Sequence, residues 1–591
     1  MMRNTTADAQ RDFAMVRPPV AEAPGWVHRA MPSIGRWAFV LFLALLILYP
    51  LVELVRQPLE NLSDVWEDAQ DLPRLGTVLF NTVALAAGSM LLATIAAMGL
   101  AWCRANLSGR LGATAHLLAL LPLMVPPLAG VTGWAFLLSP KVGYLNQILR
   151  FLFFPRSVET GPFDIYSLSW IVIITGIYLI PFAFIFIHAG LSNLDTRLED
   201  AARSAGSGWL GTQFRIVIPL LRPALIYGGA LVALLALGQF TAALLLGRTK
   251  GIDVITTQLY RLTGTPPPDY PLATFIALPI LVIALIGVAV QRKALSGGLR
   301  FIMAGKGTGR ERGHRVILFL PILIYSFIVV VPPIIGLVLV ALSPYWGEVP
   351  EFSKMSFAAF SQIANDPVAL SAVANSLKLA AAATVGAVAL SMGAALAVLR
   401  TRGISRQIVD YIINIPLAVP AILFGMGILV SFALGPATRL IRELTGINLY
   451  GGGAVLVLAY IVLAVPHGTR LVMSGLAQIN PQLESAARVF GSTALGTVIR
   501  IVVPLLRRNL VSAAMLMFML SSHEFAASSL LIGPDTQVMS TVLYGQWDTG
   551  TYPRVAAMAL IMVTVAVISL GLIGLFDRSP LARKGSLGDA L

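Results

Sequence analysis

What most constrains this chain is a succession of apolar runs, each near or above the roughly 20 residues a helix needs to cross a 30 Å hydrocarbon core. Turn and charge punctuation sets six of them near 37 to 55, 77 to 102, 114 to 138, 168 to 191, 224 to 247 and 272 to 291. A second six follow near 316 to 342, 374 to 399, 408 to 434, 453 to 476, 509 to 533 and 554 to 576. Lipid offers no partner to a backbone N–H or C=O, so runs of this kind satisfy themselves as helices. Composition agrees: 57% of the 591 residues are hydrophobic and only 12% are charged, against about a quarter in soluble proteins. The chain reads as an all-α polytopic membrane protein of about 12 transmembrane helices.

The net charge of +14 could suggest nucleic acid, but no soluble basic domain holds it, so the expected partner is the bilayer. The charge gathers in short segments between runs, as the positive-inside rule requires of cytoplasmic loops. Residues 1–36 carry Arg3, Arg11, Arg17, Arg29 and Arg36 ahead of an apolar run too long for a cleavable signal. They read as a cytoplasmic tail before an uncleaved span. Residues 37–292 form a first half, 293–315 a basic cytoplasmic linker with Lys306, Arg310, Arg312 and Arg315, 316–577 a second half, and 578–591 a tail with Arg578, Arg583 and Lys584. Loops at Arg104 and Arg110, 192 to 223, Arg400 to Arg406 and 477 to 508 fall inside with both termini. The acidic loops with Glu60, Asp64, Glu67, Asp68 and Asp71, and with Glu348, Glu351 and Asp366, fall outside. The predicted location is a bacterial cytoplasmic (inner) membrane. Cys103 stands alone, which excludes an internal disulfide or cysteine cluster.

The halves repeat each other. "LEDAARSAGSGWLGTQFRIVIPLLR", Leu198 to Arg222, agrees at about two positions in three with "LESAARVFGSTALGTVIRIVVPLLR", Leu483 to Arg507, and 199 pairs with 484, 206 with 491 and 219 with 504 at a constant offset of 285. "LFNTVALAAGSMLLA" around Asn81 resembles "VANSLKLAAAATVGA" around Asn375, and "PLMVPP" from Pro122 resembles "PLAVPA" from Pro416, both offset by 294. An even number of spans per half makes these parallel repeats about an axis along the membrane normal.

The polar loops are the unusual part. Leu198, Ala201, Ala202, Ala205 and Trp209, and Leu483, Ala486, Ala487, Phe490 and Ala494, recur at helical spacing, so each stretch can form a short helix with one apolar face. Gly206 and Gly491 stand where that helix would stop, since glycine takes a left-handed cap at little cost. The plain reading is a pair of surface loops with Arg203, Arg215, Arg488 and Arg500 on anionic lipid. Lipid attraction, however, does not require identical turn residues at identical spacing, whereas a docking knob for a two-fold soluble partner does.

Both stretches resemble the "EAA" motif of ABC importer permeases, E-A-A, three residues, G, nine residues, I, one residue, L-P. Asp200, Ala201, Ala202, Gly206, Ile216, Ile218 and Pro219 fit it, as do Ser485, Ala486, Ala487, Gly491, Ile501, Val503 and Pro504. Asp200 and Ser485 replace the motif glutamate, and the adjacent Glu199 and Glu484 are candidates for its carboxylate. The resemblance implies an ABC type I importer permease fold, with coupling loops at 198–219 and 483–504 seated on two cytoplasmic ABC ATPase subunits, which bind ATP and Mg. It also implies an extracytoplasmic substrate-binding protein. "LGQFTAALLLG", "GIDVITTQLYRL" and "SSHEFAASSLLIGPDTQVMSTVLYGQWDTGTYP", with two permeases fused in one chain, resemble the iron(III) type. Relatives of similar sequence handle thiamine, phosphonate, sugar phosphate or polyamine.

The chain itself offers no site for chemistry. Gly305, Lys306, Gly307 and Thr308 lack the first glycine of a phosphate loop. His523 and Glu524 lack the second histidine of a zinc-protease motif, Ala527 standing three residues beyond Glu524. No catalytic residue, metal site or cofactor is expected, and ATP hydrolysis belongs to separate subunits. An ion-coupled secondary transporter, the less favoured alternative, would need intramembrane acid or base relays, of which the sequence offers few, and would leave the two loops unused; a membrane enzyme would need a catalytic cluster, which the sequence lacks. Candidates for a translocation path are the helix-breaking Pro126 and Pro420, for which a packing kink is the plainer reading, the polar pair Gln239 and Glu524 at the 285 offset, and their neighbours Phe240 and Phe525.

Overall fold

A computed structural model describes residues 33–154, 159–304, 316–347, 349–401, 403–435, 443 and 452–577. The tail arginines before Ser33, the stretch from Gly305 through Arg315, Glu348 and the basic residues after Asp577 lie outside the described residues. Among those described there is helix but no strand.

The first half comprises α1 (Gly35–Glu60), α2 (Leu75–Ala105), α3 (Gly109–Met124), α4 (Pro127–Leu138), α5 (Leu168–Ser192), the short α6 (Thr196–Ser204), α7 (Trp209–Leu237), the short α8 (Ile255–Gly264) and α9 (Tyr270–Ala304). The second half repeats it as α10 (Val316–Leu342), α11 (Pro367–Arg400), α12 (Ile404–Ala418), α13 (Ala421–Ala433), α14 (Ala454–Leu476), α15 (Pro481–Val489), α16 (Ala494–Ser522), α17 (Met539–Asp548) and α18 (Tyr552–Asp577). Ten helices are long and apolar enough to span, and the count reaches 12 if the bent pairs α3–α4 and α12–α13 are one span each. Helix α9 continues through Arg292, Lys293 and Arg300 to Ala304, so the segment expected to be linker from 293 begins as helix. No proline stands between Gln291 and Ala304 to stop it.

The third run of each half is not a straight span. Its two pieces meet at 87° in the first half and 108° in the second. The cause is local: Val125 (ψ 117) and Val419 (ψ 129) precede prolines, which exclude the helical region for the residue before them, and Pro126 (ψ 133) and Pro420 (ψ 139) are extended too. Two extended residues in succession turn the chain sharply.

Packing gives the direction of the chain on either side of each bent pair. On α2 the small residues Ser89, Ala93, Ala97 and Ala101 lie fully buried at four-residue spacing, and the stripe receives α5 in parallel. Gly88 faces Val172, Leu92 faces Gly176, and Ser89 Oγ donates to Val172 O at 3.1 Å. Ala380, Ala383, Ala387 and Ser391 of α11 form a like stripe beside α14, with Gly386 against Ile461 and Ser391 against Gly468. Small residues bring helix backbones close where no hydrophobic drive exists between helices. Because α2 and α5 run the same way, the chain must return between them, and among the described residues α3–α4 is the long apolar segment that lies there. With each bent pair as one span, each half crosses six times.

The halves are also interlocked at their first helices. Gly427 of α13 meets Pro50 O of α1, Gly133 of α4 meets Pro333 O of α10, and Ser326 Oγ of α10 donates to Leu118 O of α3 at 2.6 Å. Each half thus lays its first span on the bent span of the other.

Candidate docking loops and translocation path

The connections between the fourth and fifth spans lie at one end of the bundle, here the loop end. Asp195 accepts from Arg197 N at 2.9 Å to start α6, and Asn480 from Gln482 N at 3.0 Å to start α15, each satisfying an amide that the helix leaves free. Both helices end alike. Gly206 and Gly491 each have φ +83. Gly206 N donates to Arg203 O and Ser207 N to Ala202 O, while Gly491 N donates to Arg488 O and Ser492 N to Ala487 O, all at 3.0 Å. This is a Schellman closure twice over, and the left-handed residue it needs is why glycine stands there. A turn and a new helix follow, entering the membrane through Pro219 and Pro504.

Burial sorts the loop residues. Glu199 and Glu484 are only 3% and 8% exposed, whereas Asp200 is exposed and Ser485 half-buried. The buried carboxylates point into the protein: Arg203 Nη2 meets Glu199 at 3.4 Å, and Arg400 Nε at the end of α11 meets Glu484 Oε1 at 2.8 Å. The same guanidinium donates to Leu476 O and Ile479 O at 3.2 and 3.1 Å, tying α11, the end of α14 and α15 together. Outward go Leu198, Ala201, Trp209 and Phe214 from the first loop, and Leu483, Ala486, Val489 and Phe490 from the second; Phe490 is 89% exposed and Val489 74%. Ala202 is half-buried and Ala487 buried. Both loops are firmly capped and present apolar side chains outward.

Between the halves, above the loops, lies a cavity of about 520 Å3 lined by α5, α7, α14, the α12–α13 break and the end of α16. Pro420, Glu524, Tyr460 and His467 face it, and the exposed Arg470 marks its opening toward the loop end. Pro126 and Gln239 do not line it. Gln239 Nε2 donates to Thr175 Oγ1 at 3.2 Å, and Pro126 is buried. Glu524 caps a helical turn: Ala527 N donates to Oε1 at 2.9 Å, and Ser528 N and Oγ donate to Oε2 at 2.9 and 2.7 Å. Tyr460 shares the Ser528 hydroxyl at 2.8 Å. The Glu524 carboxyl group is therefore engaged by two amides and a hydroxyl of the turn that follows it.

Phe240 and Phe525, buried at 1% and 4% exposure, stack across the seam with ring centroids 5.2 Å apart. Tyr260 of α8 packs on Phe240 at 5.5 Å, Tyr544 of α17 on Phe525 at 5.6 Å, and the tyrosines meet at 6.1 Å. Beyond this cluster, at the far end, a second basin of about 490 Å3 is lined by Arg248, Asp253, Tyr260, Arg261, Tyr544 and Asp548 among others. Arg248 bridges the halves, reaching the Tyr544 hydroxyl at 3.1 Å and pairing with Asp548. The rings of Phe240 and Phe525 stand between residues of the two basins, Gly238 and Glu524 lining the first and Ala243, Tyr260 and Tyr544 the second. Sequence reading missed Arg400 and both tyrosines; extending the repeat through "TTQLYRL" and "STVLYGQ" would have found the latter. Among the described residues no group of three or more His, Cys, Asp or Glu could hold a metal ion.

The chain is similar to several known permease proteins. The chain is 22% identical to the ferric transport system permease protein FbpB of Actinobacillus pleuropneumoniae over 97% of its own length and 81% of that protein's. It is 23% identical to the probable ABC transporter permease protein y4fN of Sinorhizobium fredii, covering 93% and 95% respectively. The spermidine/putrescine transport system permease protein PotB of Escherichia coli is 32% identical over 35% of this chain and 75% of its own. One family model matches twice, at residues 89–296 and 387–580, and on that match the chain belongs to the binding-protein-dependent transport system inner membrane components.

Proposed function

We propose that this chain forms the membrane pathway of an ATP-driven importer for iron(III), with both permease halves in one polypeptide. The observation that carries the reading is the pair of Schellman-closed helices, α6 and α15, which present apolar residues at the same end of the bundle. Two cytoplasmic ABC ATPase subunits, holding ATP and Mg, dock on them. Their closure draws the loops together and moves the spans that enter through Pro219 and Pro504. That motion opens the four-ring plug to an extracytoplasmic binding protein while closing the cavity at Arg470. The loop end and both termini are then cytoplasmic, and the membrane is the bacterial inner membrane. Iron is favoured over polyamine because the ferric permease aligns along nearly the whole chain and the polyamine permease along about a third. The cargo passes Glu524, whose Oε1 accepts one hydrogen bond and Oε2 two from the turn that follows it.

The test is assembly. Two copies of a partner ATPase should co-purify with one chain, and ATP turnover should need them, with iron uptake in vesicles dependent on ATP and a loaded binding protein. ATP turnover by the chain alone, free of contaminants, defeats the reading. Uptake of spermidine with none of iron moves the substrate but leaves the importer.

A further inference from the structure

The sequence repeat around Asn81 and Asn375 takes no part in the loops or the cavity, yet in both halves it makes the same set of long-range hydrogen bonds. Asn81 lies near the far end of α2, and its Nδ2 donates to Asp253 O at 3.0 Å. The next residue, Thr82, accepts from Ile255 N, the first residue of α8, at 2.9 Å. In the second half Asn375 Nδ2 donates to Asp535 O at 3.0 Å and to Gln537 O at 3.1 Å. Ser376 accepts from Met539 N, the first residue of α17, at 2.8 Å. A third link completes each set, Thr256 Oγ1 donating to Gln239 O and Ser540 Oγ to Glu524 O, both at 2.7 Å.

These bonds decide where α8 and α17 sit, and those helices carry the plug. Tyr260 and Tyr544 each lie five residues beyond the pinned amide, at the same place on each helix. The Val residue before each helix has no side-chain cap of its own, and its amide is taken by Thr257 or Thr541. The remaining orphan amides of these first turns must find partners elsewhere. Ile255 and Met539 find them on the neighbouring span, where Thr82 and Ser376 are 3% and 1% exposed. Thr82 Oγ1 spends its own proton on Val78 O at 2.7 Å, which turns its lone pairs to the incoming amide.

We propose that Asn81 with Thr82, and Asn375 with Ser376, are gate-positioning residues: they hold α8 and α17 so that Tyr260 and Tyr544 close on Phe240 and Phe525. This rests on the reading of the four rings as the closed level of an import path. Any tilt of α2 or α11 moves the first turn of its gate helix with it, so the second span of each half sets the far-end gate. The residue types suit that role, because an amide side chain donates to loop carbonyls and a small hydroxyl beside it accepts the helix amide without displacing packing.

The test reads gate leakage without needing ATP. In the full chain with Cys103→Ser, a reporter Leu520→Cys lines the loop-end cavity. Right-side-out vesicles are treated with a membrane-impermeant thiol reagent. With the native gate, labelling from the far side is slow. The double variant Thr82→Val, Ser376→Ala removes both acceptors and should raise the far-side labelling rate on the order of tenfold, while Thr82→Ser, Ser376→Thr restores the native rate. Melting curves on the same samples confirm that the variants are folded. A far-side rate unchanged by Thr82→Val, Ser376→Ala overturns the proposal, as does an equal rise in the hydroxyl-keeping pair. Because no ATPase is present, failure of the importer reading would show instead as failed ATPase assembly with the native chain.

Discussion

In the two loops that resemble each other most in sequence, different arginines meet the buried carboxylate. Both α6 and α15 end in the same hydrogen bonds around a glycine at φ +83, so the outward geometry is one design used twice. Behind that surface, Glu199 is met by Arg203 of its own helix, whose side chain is half exposed, whereas Glu484 is met by the largely buried Arg400 of α11. Position 106, the counterpart of Arg400 at the 294 offset, is asparagine. The presented surface is therefore set locally and the anchorage by the fold. Helix α11 also reaches the far end through Asn375 and Ser376, about 50 Å of helix in all. A push on the second loop meets a rod that is fixed at both ends.

The largest effect breaks the shared part. Gly206→Pro or Gly491→Pro forces φ from +83 to near −65° and deletes the amide that closes the helix. Transport should vanish in either variant while the protein still inserts and the ATPase dissociates or hydrolyses without uptake. Normal uptake in both would mean that the loops face lipid and no partner.

A smaller effect should separate the loops. Arg400→Ala leaves the buried Glu484 without its guanidinium partner, a change worth about 3 to 5 kcal/mol for buried pairs, and frees the Leu476 and Ile479 carbonyls. Arg203→Ala removes a half-exposed partner, worth about 1 kcal/mol or less. Uncoupled ATP hydrolysis should therefore rise with Arg400→Ala and barely change with Arg203→Ala. Equal effects would show that the anchorage is as symmetric as the surface.

The smallest effect concerns the far end of the same rod. Asp366 caps α11 through the amides of Val368 and Ala369 and pairs with Arg554, whereas α2 starts after Arg74 with no side-chain cap. Burial would raise the Asp366 carboxyl, but the Arg554 guanidinium and the two amides outweigh it and hold its pKa below the usual carboxylate value. A depressed carboxylate pKa adds stability above the unfolded-state value, and that gain is lost as pH falls through the folded value. Asparagine caps about as well as aspartate, so Asp366→Asn should lower stability through the lost Arg554 pair alone, by about 1 kcal/mol or less at neutral pH, and the difference from the native chain should vanish in acid. A melting difference independent of pH would leave the cap without its charge contribution.

What the sequence determined by itself was whatever is local. Apolar length fixed the spans, a constant offset the two parallel halves, and single residues the stops at Gly206 and Gly491 and the breaks at Pro126 and Pro420, because cap conformation and proline restriction act within a few residues. Contacts between distant residues were beyond its reach. Asn81 meets Asp253 172 positions away and Asn375 meets Asp535 160 away. Only the tertiary structure decided how sharply the third span of each half bends, that Glu199 and Glu484 turn inward while Asp200 faces out, and that Pro420 lines the cavity but Pro126 does not. Each of these depends on which helix lies alongside, and in a bundle whose helices are nearly all apolar, sequence pattern carries little of that information: burial against protein and exposure to lipid select the same residues.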